Sequence, residues 1–374
     1  MIRRTWTREL LVRAGEAFGL FGEYIDGGPY GTGHINDTFA VTYDQAGTRV
    51  RYVHQRVNSN VFRDPVALME NVARVCRHAS ESGRVEAPPG DRSRSVLTLV
   101  PAKQGESYWV DEVGDFWRTY LFIEHAATHD VIAAPVQAYQ AARAFGRFQA
   151  MLADLPADHL HETIPDFHHT RKRLAALKRA AKADVCDRLA PARSELEFAG
   201  SRESLAGVLL ELHEAGAIPT RVTHNDTKLN NVMLDETSGE AVCVIDLDTV
   251  MPGLSLYDFG DMVRTAVSPA AEDETDLSHV RVRPEYFEAL ARGFVETAGE
   301  FLCPAERKHL PTAGMLLTYE NGLRFLTDYL CGDTYFKTSR PHHNLDRCRV
   351  QFELLRRLEE ASDELHRIVD SIQA

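Results

Sequence analysis

Two short apolar runs that each end in a polar loop constrain this chain more than anything else in it. Val222-Thr-His-Asn-Asp-Thr-Lys-Leu-Asn-Asn-Val-Met-Leu234 carries His224, Asp226, Lys228 and Asn231, and Ala241-Val-Cys-Val-Ile-Asp-Leu-Asp248 carries Asp246. If the runs are neighbouring strands, their ends gather a carboxylate, a cation and two hard oxygen donors in one place. That set suits transfer of a phosphoryl group to a hydroxyl, where positioning and charge neutralisation do most of the work.

A chain of 374 residues exceeds one compact core, so two lobes are expected, residues 1–125 and 126–374. No stretch approaches the roughly 20 apolar residues of a membrane span. The start Met1-Ile-Arg-Arg-Thr lacks the apolar region of a secretory signal, so a cytoplasmic protein is expected. Cys76, Cys186, Cys243, Cys303, Cys331 and Cys348 form no C-x-x-C pair, which speaks against disulfides and structural zinc. A formal net charge of -13 repels nucleic acid and anionic lipid and leaves small molecules as the expected partners. Oligomeric state is not legible.

The first half alternates β-like runs, Asp37 to Tyr43, Val50 to Val57, Ser95 to Val100 and Arg118 to Glu124, with a helix starting at Asp64. Asp64 suits the helix cap and Pro65 its first turn, and Val66, Met69, Val72, Ala73 and Cys76 form one apolar face. Beyond residue 126 the periodicity turns helical, over about 166–190, 200–215, 284–299, 305–330 and 344–371. The expected class is therefore α+β, a small β-rich lobe followed by a large helical one. Arg171-Lys-Arg173 and Arg356-Arg357 read as solvated helix faces, and the His168-His169 and His342-His343 pairs as surface loops rather than metal sites.

Asp226 is assigned to orient the attacking hydroxyl and accept its proton. An ordinary Asp pKa of about 3.9 means that proton transfer comes late and positioning matters more. Asn231 and Asp246 offer the oxygen ligands that Mg²⁺ on phosphates prefers. Lys228 can neutralise charge on the transferred group. His224 reads as a structural residue whose ring is bonded by Asp258, with N-capping as the rival role for Asp258.

Gly27-Gly-Pro-Tyr-Gly-Thr-Gly-His34 precedes a β-like run, so backbone amides near Gly31 and Gly33 can lie over nucleotide phosphates, with His34 at the substrate edge. Arg56 stands where a strand cation would pair with Glu70 and the α- and β-phosphates, with a bulkier, two-pronged group than a lysine would offer.

Taken together, His224-Asn-Asp226 with Asn231, Ile245-Asp-Leu-Asp248 and Gly253 through Asp258 resemble the signature of the aminoglycoside phosphotransferase and choline kinase superfamily. More narrowly, Gly33-His-Ile-Asn36, Gln55-Arg-Val-Asn58, Leu68-Met-Glu-Asn71, Asp246 through Gly253 and Tyr329 through Phe336 are similar to bacterial N-acetylhexosamine 1-kinases. The resemblance implies a two-lobed, protein-kinase-like fold, ATP and Mg²⁺ as cofactors, and phosphorylation of the anomeric hydroxyl of N-acetylglucosamine or N-acetylgalactosamine. It also implies Asp226 as base, and Arg324, Tyr335 and His34 as sugar contacts, with Asp333 nearby. Other small-molecule acceptors remain open: an aminoglycoside, for which the acidic run Glu272-Asp-Glu-Thr-Asp276 would have to supply anionic contacts, choline or homoserine. An inactive nucleotide-binding protein on the same fold is a further alternative.

Overall fold

A computed structural model describes residues 5–31, 35–82 and 92–372. Gly33 and His34 lie outside the described residues. The first lobe opens with α1 (Arg8–Ala17) and builds an antiparallel sheet from β1 (Glu23–Pro29), β2 (Asp37–Gln45), β3 (Thr48–Arg56), β4 (Trp109–Val110) and β5 (Phe116–Leu121). The strand order is β1-β2-β3-β5-β4, and α2 (Pro65–Glu81) follows β3 in the chain. The run from Ser95 to Val100 contributes an isolated bridge, Leu99 to Tyr120, rather than a strand.

Because successive strand residues point to opposite faces, each strand serves two environments. Phe39, Val41 and Tyr43 of β2 and Trp117 of β5 pack with Leu10, Leu11, Ala14 and Phe18 on the α1 side. Thr38, Val53, Gln55, Arg118 and Tyr120 face the other way, into a cleft. At α2, Asp64 caps as expected, its Oδ1 accepting from the Ala67 amide at 3.0 Å. The buried face of α2 is rotated from the expected one. It is made by Leu68, Met69, Val72, Val75 and Cys76, while Val66 is 39% exposed.

The second lobe contains β6 (Ala126–Ala127), α3 (Pro135–Met151), α4 (Thr170–Ala183), α5 (Arg193–Gly200), α6 (Val208–Glu214), β7 (Arg221–Thr223), β8 (Val232–Asp235), β9 (Ala241–Val244) and β10 (Met251–Gly253). The helices α7 (Ser255–Ala266), α8 (Pro284–Ala298), α9 (Pro304–Lys308), α10 (Leu310–Leu330), α11 (His343–Glu360) and α12 (Ser362–Ser371) complete it. The expected helix over 305–330 breaks at His309, because Pro311 has no N–H to continue the ladder and restarts α10 in its first turn.

One core joins α3, α7 and α8 through Phe145, Phe259, Phe287 and Phe294; a second joins α4, α10 and α11 through Leu177, Tyr319, Leu323 and Phe352. Gly260 lets α7 approach α10: a Cβ there would stand 2.4 Å from the Ala313 carbonyl oxygen. That contact fixes the helix whose carboxylates hold the loop after β7.

Candidate active site

The antiparallel β8–β9 hairpin pairs Val232 with Val244, so the residue before β8 and the residues after β9 are neighbours. Asn231 and Asp246 meet for this reason, and the Ile245 amide donates to the Asn231 carbonyl at 2.9 Å. The loop after β7 supplies Asp226 and Lys228 beside them. All four line a cleft of about 600 Å³ between the lobes, together with Gly31, Gln55, Arg118 and Tyr120. Val53, Leu97, Ile123, Met233 and Ile245 make part of its wall apolar.

Inside the loop, Lys228 Nζ donates to Asp226 Oδ1 at 2.8 Å. Asn231 Nδ2 donates to the Asp226 carbonyl at 2.8 Å and to its Oδ2 at 3.1 Å. With its nitrogen used twice on Asp226, Asn231 presents Oδ1 as the atom available to a cation. Burial works to raise the Asp226 carboxyl, but Lys228, His224 and Arg264 outweigh it and hold the group below the usual carboxylate range. Asp226 in turn raises Lys228. The low-dielectric walls, then Asp248 and Asp226, push the Asp246 carboxyl up to about 7. Such crowding of carboxylates favours a cation among them.

Two carboxylates of α7 hold the loop from behind. Asp258 accepts the His224 amide at 2.9 Å and the Asn225 amide at 2.7 Å, and Asp261 accepts the Thr227 amide at 3.1 Å and Arg264 Nε at 2.8 Å. Asn225 takes the left-handed conformation, φ 66°, which turns the chain so that neighbouring amides reach Asp258. The His224 ring is bonded elsewhere than expected: Nε2 donates to the Ile245 carbonyl at 2.9 Å, and Phe145 and Phe148 pack edge-on against it. Nor is Asp258 an N-cap, since α7 starts at Ser255.

Among the described residues no three His, Cys, Asp or Glu side chains form a protein-only metal site. The donors present, Asn231 Oδ1 and Asp246, match the few protein ligands that Mg²⁺ needs when phosphates and water complete its shell.

A family model of phosphotransferase enzymes matches residues 26–294. The chain belongs to that family. An aminoglycoside phosphotransferase from Alicyclobacillus acidocaldarius shares the phosphotransferase's fold, with a TM-score of 0.64, 14% identity and 99% of each chain covered. Choline kinase from Cryptosporidium parvum aligns at 0.57 and 14% identity, over 97% of this chain and 99% of that one. A spectinomycin phosphotransferase in complex with ADP and spectinomycin aligns at 0.52 and 13% identity, over 99% of both.

Several expectations about the phosphotransferase are corrected. Arg56 does not pair with Glu70: it bonds Asp37 and Asp115, with its Cζ 5.7 Å over Trp117, while Glu70 bonds His161 at the surface. The reason is strand alternation, which puts Gln55 on the cleft face and Arg56 on the α1 face. Asp333 is engaged structurally, accepting from Arg188 Nη1 at 2.5 Å and Asn344 Nδ2 at 2.9 Å in a left-handed turn. His168 and His343 are buried, not in surface loops: His168 bonds Glu320 and the Asn225 carbonyl, and His343 bonds Asp273. Two carboxylates of the acidic run are paired with arginines, Glu272 with Arg264 and Asp273 with Arg340, while Glu274 and Asp276 face the exposed His279.

Arg324 and Tyr335 lie outside the nucleotide-sized cleft. The Arg324 guanidinium sits 5.3 Å from the ring of Phe167, 5.5 Å from Phe336 and 6.0 Å from Tyr335. One turn earlier on α10, Glu320 connects this cluster to the loop through His168 and the Asn225 carbonyl.

Residues that sequence reasoning missed also converge here. Asp248 accepts from Asn36 Nδ2 and from Arg118 Nη1, tying both lobes together. A signal existed for each: Asp248 completes the Asp-x-Asp spacing after β9, and Arg118 is the one charge within the aromatic-rich strand Phe116–Leu121.

Proposed function

We propose that this phosphotransferase is an ATP-dependent kinase that transfers a phosphoryl group to the anomeric hydroxyl of an N-acetylhexosamine. Residues 1–125 and the cleft hold the nucleotide, with Gly31 near the phosphates, and residues 126–374 carry the reacting loop and the acceptor site. The ADP complex of the spectinomycin phosphotransferase supports the choice of nucleotide.

In this reading Asp226, kept ionised by Lys228, orients the sugar hydroxyl and takes its proton as the new bond forms. Lys228 lies where it can offset charge on the transferred group. Asn231 Oδ1 and Asp246 hold Mg²⁺, which neutralises phosphate charge when bound. His224 and Asp258 keep the loop in shape.

The observation that carries the acceptor class is the placement of Arg324. Its guanidinium already covers the faces of Phe167, Phe336 and Tyr335, a place that would otherwise attract an ammonium group. In the acidic run, Glu272 and Asp273 are already paired with Arg264 and Arg340, which leaves fewer carboxylates for a polycation. What remains suits a neutral, oxygen-rich acceptor: guanidinium donors for hydroxyl and acetamide oxygens, and the 67%-exposed Tyr335 to pack on a pyranose.

A substrate panel with MgATP, read by phosphorus NMR, tests this. Sugar 1-phosphate should form from N-acetylglucosamine or N-acetylgalactosamine, whereas phosphorylation confined to aminoglycosides, choline or homoserine would refute it.

A further inference from the structure

We propose that Arg118 is the cation that the first lobe presents to the phosphates of the nucleotide. This rests on the nucleotide half of the reading above and is independent of the acceptor. Arg118 comes from β5, where it stands directly opposite Gln55 of β3, so both side chains emerge on the cleft face. Arg56, the next residue on β3, falls on the opposite face and is held by Asp37 and Asp115. Of the described residues lining the cleft, Arg118 and Lys228 are the two that carry positive charge, and Lys228 belongs to the second lobe.

The side chain is held ready for an anion. It is 1% exposed; Nε donates to Gln55 Oε1 at 2.9 Å, and Nη1 donates to Asp248 Oδ1. Asp248 also accepts from Asn36 Nδ2 at 2.5 Å, and Asn36 Oδ1 accepts the Asn58 amide at 3.0 Å. Nη2 has no hydrogen-bond partner among the described residues, so one prong of the fork remains for a ligand. Asp246, the candidate metal ligand, also acts electrostatically on Arg118.

A guanidinium in such a place is fixed, permanently charged and shaped for two-pronged contact with phosphate oxygens. Because it is already desolvated and paired, little rearrangement is needed when an anion arrives. The role expected of Arg56 is thereby filled from the neighbouring strand.

Calorimetric titration of the full chain with MgATP and, separately, with adenosine tests the assignment. Arg118→Met should bind MgATP about 20- to 200-fold more weakly than wild type while adenosine affinity changes by less than about threefold. Equal weakening of both would mean that Arg118 merely shapes the cleft, and unchanged MgATP affinity would remove it from the site; either result overturns the proposal. Wild-type protein that binds neither compound would overturn the nucleotide reading and this proposal together.

Should Arg118→Met not fold, Arg118→Lys carries the test, since it keeps the charge and loses the fork. It should weaken MgATP about 5- to 20-fold with adenosine unaffected, and wild-type affinity for MgATP would overturn the proposal.

Discussion

The Asp258 carboxylate holds His224 by its backbone amide, 2.9 Å away, while the His224 ring bonds the Ile245 carbonyl. The same carboxylate takes the Asn225 amide and Gln149 Nε2, so a fully buried acid carries the shape of the loop that ends in Asp226. Asp258→Ala removes the acceptor of two buried backbone amides and of Gln149 Nε2. It should lower stability by about 3–5 kcal/mol in urea unfolding. A loss under about 1 kcal/mol would show that the loop is held by other contacts.

Glu320 links the aromatic cluster around Arg324 to the same loop. Its carboxylate accepts from Thr170 Oγ1 at 2.5 Å and pairs with His168, whose other ring nitrogen meets the Asn225 carbonyl at 3.1 Å. Burial opposes ionisation, but His168 and Thr170 prevail and keep the carboxyl below its usual range. Glu320→Gln should lower kcat about 10- to 100-fold by misplacing the acceptor, with MgATP affinity unchanged by calorimetry. Matching losses in both would mean general unfolding of the loop.

Much of this arrangement was legible in the sequence, and the failures share a physical cause. The motif after β7, the Asp after β9 and the capped α2 are local signals, set by residues within a few positions of one another. Asp248 meets Arg118 across 130 residues of chain and Asn36 across 212, and Glu320 meets His168 across 152, through pairings that only packing creates. The Arg56 misreading was a one-residue error in strand face, and alternation makes such an error move the whole side chain from cleft to back core. His168 was misplaced because a histidine pair in a polar stretch reads as exposed until a buried glutamate is seen beside it.

His54 gives a pH test of the first lobe. The ring is fully buried on the α1 face, Nδ1 bonds Thr119 Oγ1 at 2.8 Å, and burial pushes its pKa down to about 3. The unfolded chain binds a proton near pH 6.5 and the folded one does not, so stability falls as pH drops through that value. The contribution should reach about 2–3 kcal/mol by pH 4.5. Urea unfolding at pH 7 and 4.5 checks it: His54→Gln should be less acid-sensitive than wild type by that amount, and an equal acid sensitivity would contradict the assignment.

Asp328 shapes the segment that carries Tyr335. Its carboxylate accepts the amides of Thr334, Tyr335 and Phe336 at 2.9, 2.8 and 2.9 Å, and Asn344 Nδ2 at 2.9 Å. Asp328→Asn should raise the acceptor KM about tenfold and leave the MgATP KM within about twofold, as steady-state kinetics would show. A change confined to the nucleotide KM would argue against an acceptor site at this end of α10.

The central claim is that Asp226 directs a sugar hydroxyl at the nucleotide's terminal phosphoryl group. Its carboxylate stands between Lys228 Nζ and Asn231 Nδ2, and Asp226→Asn keeps that shape while removing the charge. The most direct measurement follows sugar 1-phosphate formation by phosphorus NMR, for wild type and Asp226→Asn, with N-acetylhexosamine and saturating MgATP. The account predicts product with wild type and a rate about 10²- to 10⁴-fold lower with the variant, at near-normal MgATP affinity. A variant within about threefold of wild type, or a wild-type enzyme that phosphorylates only amino alcohols, would contradict it.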